Sequence, residues 1–198
     1  MPITVQVSGK SIDQLADRLA HVGEVTSEDI LYALDRQKTR IIDRTLKGHD
    51  VSGNAFAPYS TKGPYYYYAN PGVGGRRSAK SRSASAARYA KKLGGTRTRL
   101  GVKFDSYAAF KASLGRGGIV DLLGVSAPHM LQSIVTKTTG SMSGEIGIYG
   151  PEADRAEGHN LGTRHLPKRE FFGVSSEEEK LMAEDIERLM SARMSDLL

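Results

Sequence analysis

A basic stretch without acidic residues constrains this fold more than any other feature of the sequence. Between Pro64 and Phe104 there is no Asp or Glu, whereas ten residues are Lys or Arg. Four consecutive tyrosines, Tyr65 to Tyr68, stand near its start, and its first part is rich in Gly and Ser, which favours a flexible backbone. A short Ala-rich helix is predicted from Ala84 to Leu93, ending at Gly94. We expect residues 64–104 to lie outside the main core, as a basic loop or arm.

The sequence on either side of this insert has the apolar periodicity of a mixed α and β domain. Alternation of Ile3, Val5 and Val7 with polar residues predicts a half-buried strand. Thr26 and Asp29 form a capping-box-like pair, which predicts the start of a helix that ends before Gly48. Local patterns predict the following further elements: a short helix from Ser11 to Gly23, a turn capped by Ser106, a hairpin around Thr139-Gly140-Ser141, a short helix from Pro151 to Glu157, an extended segment from Leu166 to Phe172, and a final helix capped by Ser175 and Glu178.

Together these elements predict an α+β fold, a small antiparallel sheet packed by several helices, with the long basic loop or arm inserted. In this interpretation residues 1–63 and 105–198 form a single α+β domain, and residues 64–104 are the insert. A chain of 198 residues can bury a core without a metal or a disulfide, and this one has no cysteine.

Charge and hydropathy limit the function classes. The formal net charge is +6 and the pI is about 9.5, so the protein should approach polyanions readily. The first ten residues lack the charged and apolar regions of a signal peptide, and no apolar run approaches the ~20 residues of a membrane span. We therefore expect a soluble protein with no role in the membrane.

Motifs for catalysis, metals and nucleotides are weak in this sequence. The five residues that could form a metal or acid–base cluster are His129, His159, His165, Asp154 and Glu157, but their spacing matches no zinc or metalloprotease pattern. Phosphate-loop motifs and the serine nucleophile elbow are also missing from the sequence. We predict no catalytic residue, no metal site and no cofactor; instead, His159 and Asn160 should hydrogen-bond the backbone at a tight corner completed by Gly162.

The basic insert is open to three interpretations from the residues alone. Its cations and tyrosines suit nucleic acid, where cations neutralise phosphates and aromatic rings stack on unpaired bases. It is equally consistent with a solvated loop, or with a segment that orders against an acidic protein surface. Six acidic residues in the last third provide such a surface: Glu152, Asp154, Glu157, Glu177, Glu178 and Glu179. The basic arm of one copy would then meet the acidic surface of the next, in a head-to-tail ring.

Several passages of the chain resemble the phage virion morphogenesis family, the tail-completion or neck proteins of Mu-like tailed bacteriophages. The passages are Gly53-Asn54-Ala55-Phe56-Ala57-Pro58, Val120-Asp121-Leu122 followed by Met130-Leu131-Gln132-Ser133-Ile134, Ala156-Glu157-Gly158-His159-Asn160-Leu161-Gly162, and Leu166-Pro167-Lys168-Arg169-Glu170-Phe171-Phe172-Gly173-Val174-Ser175. The last two are similar to the A-x-x-H-N-x-G and P-x-R-x-F-x-G-x-S signatures of that family.

This resemblance implies a structural virion protein of the neck, which acts in tail completion and head–tail joining and has no catalytic residues. It implies an α+β domain that assembles in the host cytoplasm into a homo-oligomeric ring, a hexamer, at the head-proximal end of the tail. The implied partners are the phage connector or adaptor and the tail tube or tail terminator proteins, with contact to packaged DNA left open. The alternative is a nucleic-acid-binding protein that uses the basic insert.

Thirteen residues are candidates for contacts with a second subunit or another partner. They are Arg76, Arg77, Arg82, Arg88, Lys91, Lys92, Arg97, His159, Asn160, Lys168, Arg169, Phe171 and Phe172. In an extended strand Phe171 and Phe172 point to opposite faces, so we predict that one enters the core and the other meets a neighbour or the final helix.

Overall fold

The structure is a computed structural model that describes residues 3–6, 25–67, 87–98, 101–117, 120, 122, 129–164 and 166–195. Contacts divide the chain into two compact units. We call residues 1–57 with 122–198 the main unit, and residues 58–121 the inserted unit. The predictions for Ser11 to Gly23, Arg76, Arg77, Arg82 and His165 lie outside the described residues.

Strands and helices alternate irregularly along the chain. The strands are β1 (Ile3–Gln6), β2 (Tyr65–Tyr67), β3 (Thr96–Arg97), β4 (Val102–Phe104), β5 (Ile134–Gly140) and β6 (Ser143–Ile148). The helices are α1 (Ser27–Leu46), α2 (Tyr107–Ser113), α3 (His129–Gln132), α4 (Pro151–Leu161) and α5 (Ser176–Ser195), and residues 87–93 are also helical. The predicted α+β class, with small antiparallel sheets and several helices, is confirmed.

The main unit is built on an antiparallel sheet with strand order β1-β6-β5. The predicted hairpin is confirmed, since β5 and β6 pair from Ile134 opposite Ile148 down to the turn. α1 lies close against this sheet, because a Cβ at Gly144 would come within 2.4 Å of Leu34 Cδ1. The core residues of this layer are Ile30, Leu34, Ile41, Ile134, Ile146 and Ile148, all at most 2% exposed.

α5 packs beside α1 and closes the main unit. Its apolar residues Met182, Ile186 and Met190 are buried. Charged residues join the two helices as well, because Arg40 donates to the buried carboxylate of Asp185 at 2.5 Å. The contact between α1 and α5 is therefore mainly apolar, and ion pairs between particular residues of the two helices add to it.

The predicted capping box at the start of α1 is confirmed. The Thr26 hydroxyl accepts from the Asp29 N–H at 3.3 Å, and the Asp29 carboxylate accepts from the Thr26 N–H at 2.8 Å. Arg193 of α5 also pairs with this carboxylate. Burial favours a raised pKa for Asp29, but the hydrogen bonds from Arg193 and Thr26 outweigh it and hold the pKa below its ordinary value.

The inserted unit has an antiparallel sheet of its own, with strand order β2-β4-β3. Val102 and Phe104 of β4 are buried and Lys103 between them is exposed, which is the alternation of a strand with one covered face. Phe110 of α2 lies at the centre of the cluster, and Leu93 completes it. The part of the predicted loop or arm that the structure describes is therefore folded around an aromatic core.

This segment is folded, rather than a loop or arm, because of its tyrosines. The rings of Tyr65 and Tyr67 lie 4.9 and 5.2 Å from that of Phe110, so they supply the apolar surface that the basic composition conceals. The unit also runs from residue 58 to 121 and includes α2, whereas sequence analysis placed the insert at 64–104. Whether residues 1–63 and 105–198 behave as a single domain stays a prediction.

Candidate functional site

The two signature-like passages near the C-terminal end contact each other. The first lies mostly in α4, and the second lies between α4 and α5. α4 begins at Pro151 and ends at Leu161, and Gly162 follows with φ of 78°, which suits glycine. The helix runs four residues beyond Glu157, its predicted end. His159 and Asn160 therefore lie in its last turn rather than at a tight corner, which corrects that part of the prediction. We call residues 162–175 the corner segment.

Asn160 fixes the corner segment to α4 through both ends of its amide. Its Oδ1 accepts from the Phe172 N–H at 2.8 Å, and its Nδ2 donates to the Phe172 carbonyl at 3.1 Å. The main-chain carbonyl of His159 accepts from the Arg169 N–H at 2.7 Å. The prediction that Asn160 bonds the backbone is confirmed, and its amide is thus directed into its own chain rather than toward a partner.

Arg169 joins two passages that are far apart in the sequence. Its side chain is buried, and its Nε and a terminal guanidinium nitrogen donate to the Ala57 carbonyl at 3.1 and 3.0 Å. One residue later the Glu170 carbonyl accepts from the Val51 N–H at 2.8 Å. Of the passages that carry the family resemblance, the one containing Ala57 and the one containing Arg169 are therefore in direct contact.

Arg44 of α1 holds the other end of the corner segment. One terminal nitrogen pairs with Glu178 of α5, and the other donates to the carbonyls of Phe171 and Gly173 at 2.9 and 3.1 Å. Glu178 also accepts from the Ser175 N–H at 3.0 Å, which confirms the predicted cap of α5. A single guanidinium thus links α1, the corner segment and α5.

Phe171 and Phe172 both enter the main unit, so the predicted contact of one ring with a neighbour is wrong. Both side chains are buried, at 0% and 3% exposure, and their ring centroids lie 6.0 Å apart. The predicted extended segment is irregular rather than a strand, so the side chains need not alternate. Neither ring is available to a neighbour in this structure.

The candidate contact residues of the main unit are thus mostly internal. Lys168 is exposed and pairs with Glu170 at 2.6 Å, whereas Arg169, Phe171 and Phe172 are buried and Asn160 is committed to the backbone. Half-buried His159 stands beside Asn160. Among the acidic residues predicted to form a surface, Glu178 is buried against Arg44 and so is not part of one.

The candidate cations of the inserted unit lie at its surface wherever the structure describes them. Arg88, Lys91 and Lys92 are exposed on helix 87–93, and Arg97 is exposed on β3. Lys111 differs, because it is buried with its Nζ 4.8 Å from the centroid of the Tyr59 ring. Most of the described cations of this unit therefore face water.

The ion pairs between α1 and α5 were not predicted from the sequence. Arg40 and Arg44 of α1 both contact carboxylates of α5. The signal was present in the spacing, since residues four apart lie on one side of a helix, and their partners Glu178 and Asp185 lie seven apart on α5. Basic residues along one side of α1 and acidic residues along one side of α5 predict ion pairs between the two helices.

A second cluster lies on the β5–β6 hairpin. Lys137 and Glu145 are cross-strand partners joined by an ion pair of 2.6 Å, and Tyr149 donates to the same carboxylate. The hydrogen bond from Lys137 holds the pKa of Glu145 below its ordinary value, and the bond to Glu145 raises the pKa of Lys137. Both shifts favour the charged forms of Lys137 and Glu145, as expected for an ion pair.

Among the described residues, no group of His, Asp and Glu side chains has the geometry to hold a metal ion. Within the same part of the chain, no helix is both long and apolar enough to span a bilayer. Comparisons with models of protein families, with curated proteins and with solved structures found no match for this chain.

Proposed function

We propose that this chain is a structural protein of the neck of a tailed bacteriophage virion. It acts in tail completion and head–tail joining, as a hexameric ring at the head-proximal end of the tail. Its partners are the connector or adaptor on the head side and the tail tube or tail terminator on the tail side. The observation that carries the proposal is the contact of Arg169 with Ala57, which joins two of the passages that resemble the family.

The chemistry of these passages supports a structural role. Asn160 bonds the backbone of Phe172, and Arg169 bonds the carbonyl of Ala57. Arg44 of α1, which lies outside these passages, bonds the carbonyls of Phe171 and Gly173. Bonds of this kind fix the path of the chain, and a buried polar group left without its partner costs about 1–3 kcal/mol. In a ring subunit, residues that do not contact the neighbour have to hold the contact surface in shape. We assign this role to the signature-like residues.

The distribution of charge supports assembly from unlike surfaces. The inserted unit contains 13 Lys and Arg and 2 Asp and Glu, a formal charge of +11, whereas the main unit contains 15 and 20, a charge of −5. Surfaces of opposite sign on one chain favour head-to-tail contacts, which close into a ring when the rotation permits.

Removal of the chain from a phage that encodes it tests the proposal. The mutant should accumulate filled heads and separate tails, because the joint between them is missing. Adding purified chain to an extract of mutant-infected cells should restore joined, infectious particles. A normal yield of infectious particles without the chain would exclude the proposed function.

A matched pair of variants tests whether the corner segment supports that activity. Arg169→Met removes the bonds to Ala57, whereas Lys168→Met removes an exposed cation one residue earlier. The first variant should restore few particles in the extract and the second should restore a normal number. Equal activity of the two variants would mean that the contact between the passages has no part in the function.

A further inference from the structure

We infer that the exposed face of helix 87–93, formed by Arg88, Lys91 and Lys92, binds the phosphate backbone of duplex DNA. This inference concerns the inserted unit alone and does not depend on the neck assignment. It rests on the charge of that unit, on the side of the helix where the cations lie, and on the way the helix is held.

The inserted unit has too few acidic residues to neutralise its own cationic residues. Against its 13 cationic residues stand only Asp105 and Asp121. Among the described carboxylates, none forms an ion pair with Arg88, Lys91 or Lys92. A cluster of like charges that the unit does not neutralise is the electrostatic mark of a polyanion-binding surface.

The three cations share one side of the helix. Tyr89, Ala90 and Leu93 pack inward on the aromatic core, which leaves positions 88, 91 and 92 on the opposite side. This spacing of three and four residues places neighbouring side chains about 5–6 Å apart on one helical face. The face therefore presents three cations within about one turn, which suits consecutive phosphates of one strand.

The helix is held firmly enough to present that face. The Tyr89 ring packs edge-on to Tyr67 with centroids 5.5 Å apart, and Leu93 is buried. Gly94 ends the helix with φ of 72°, and a Cβ at Gly95 would come within 2.5 Å of Val102 Cγ1, so only glycine allows this close return to the sheet. A fixed helix loses less conformational entropy on binding than a mobile arm.

The tyrosines of β2 favour duplex DNA over an unpaired strand. Recognition of unpaired bases depends on aromatic rings that are free to stack. Tyr65 and Tyr67 instead pack against Phe110 in the core, and Tyr66 is the one exposed tyrosine of β2. The described part of the unit therefore offers more exposed cations than exposed rings, and duplex DNA has the higher charge density.

The internal pairing of some main-unit carboxylates favours DNA over a second copy of the chain as the partner of this one face of helix 87–93. Six of them are already paired with cations of the same unit: Asp29, Glu145, Glu152, Glu170, Glu178 and Asp185. Six of the 20 acidic residues of the main unit are thus paired internally, whereas a DNA duplex offers an unbroken row of phosphates.

Binding to a labelled duplex of about 30 base pairs, measured by fluorescence anisotropy over a range of salt concentrations, tests this inference. The triple variant Arg88→Ala, Lys91→Ala, Lys92→Ala should lower the slope of log K against log salt by about 3 and weaken binding by at least about tenfold at low salt. The matched control, Lys47→Ala, Arg164→Ala, Lys180→Ala, removes three exposed cations of the main unit and should change affinity by less than about twofold.

Three results would overturn the inference: no duplex binding by the unaltered chain at low salt, equal losses in the two triple variants, or loss of self-association with unchanged DNA binding. The last result would assign the face to a second copy of the chain. If the triple variant fails to fold, Lys91→Ala and Lys92→Ala alone should each lower the slope by about 1. Because oligomeric state is measured without DNA, failure of this inference is distinguishable from failure of the proposed ring.

Discussion

The main unit and the inserted unit use charged side chains in opposite ways. In the main unit Arg44, Arg169 and Asp185 are buried or nearly so, and each is bound to a group of the same unit. In the inserted unit Arg88, Lys91 and Lys92 are exposed, while aromatic rings build the core. The comparison indicates that polar groups help define the shape of the first unit, whereas most described cations of the second lie at the surface, with buried Lys111 as an exception.

The largest expected effect separates the two cores. Phe110→Ala removes the central ring of the inserted unit, and Phe171→Ala removes a fully buried ring of the main unit. Each should cost about 3–5 kcal/mol. Amide hydrogen exchange should show loss of protection in residues 58–121 for the first variant and around α4 and α5 for the second. Equal loss across both units in either variant would mean that they do not fold as separate cores.

Arg44 offers the next largest effect, because it is the charged link among three elements of the main unit. Arg44→Met leaves the Glu178 carboxylate without its cation and should cost about 3 kcal/mol in chemical unfolding. The double variant Arg44→Met, Glu178→Gln should cost less than the single one, since no unpaired charge remains. A larger cost for the double variant would show that the pair does not act as described.

Asn160 should show a smaller effect of the same kind. Asn160→Ala leaves the N–H and the carbonyl of Phe172 without their partner and should cost about 1–3 kcal/mol. Asn160→Asp keeps the acceptor for the Phe172 N–H but replaces the donor with a carboxylate oxygen that repels the Phe172 carbonyl, so its melting temperature should also be lower than that of the unaltered chain. If the alanine variant is as stable as the unaltered chain, the Asn160 amide does not stabilise the corner segment.

The smallest expected effect is a pH dependence at the start of α1. Because the pKa of Asp29 is lowered in the folded protein, its contribution is present above the ordinary carboxyl pKa of about 4 and is lost as the pH falls through the folded value. Asp29→Asn should cost about 1–2 kcal/mol at pH 7 and show a weaker loss of stability below about pH 4. Identical acid profiles for the two proteins would contradict this assignment.

Elements specified by neighbouring residues were predictable, and those that depend on distant contacts were not. The capping box of Thr26 and Asp29, the hairpin and the cap of Ser175 and Glu178 each arise within a few residues. The main chain at Phe171 and Phe172 is bonded by Arg44 and Asn160, which lie elsewhere in the chain. Local alternation could not indicate it.

The aromatic core of the inserted unit was missed for a related reason. Its residues are interleaved with cations, as Lys103 is between Val102 and Phe104, so average composition masks the covered face. Tyr65 and Tyr67 contact Phe110 although 45 and 43 residues of sequence separate them, so only the folded arrangement brings these rings together.

Electron cryomicroscopy of particles that contain the chain tests the central proposal most directly. The account predicts a closed ring of identical subunits at the head-proximal end of the tail, with 58–121 and the main unit fitted as separate bodies. A map in which these particles carry the chain elsewhere, or in which the neck is complete without it, would contradict the account.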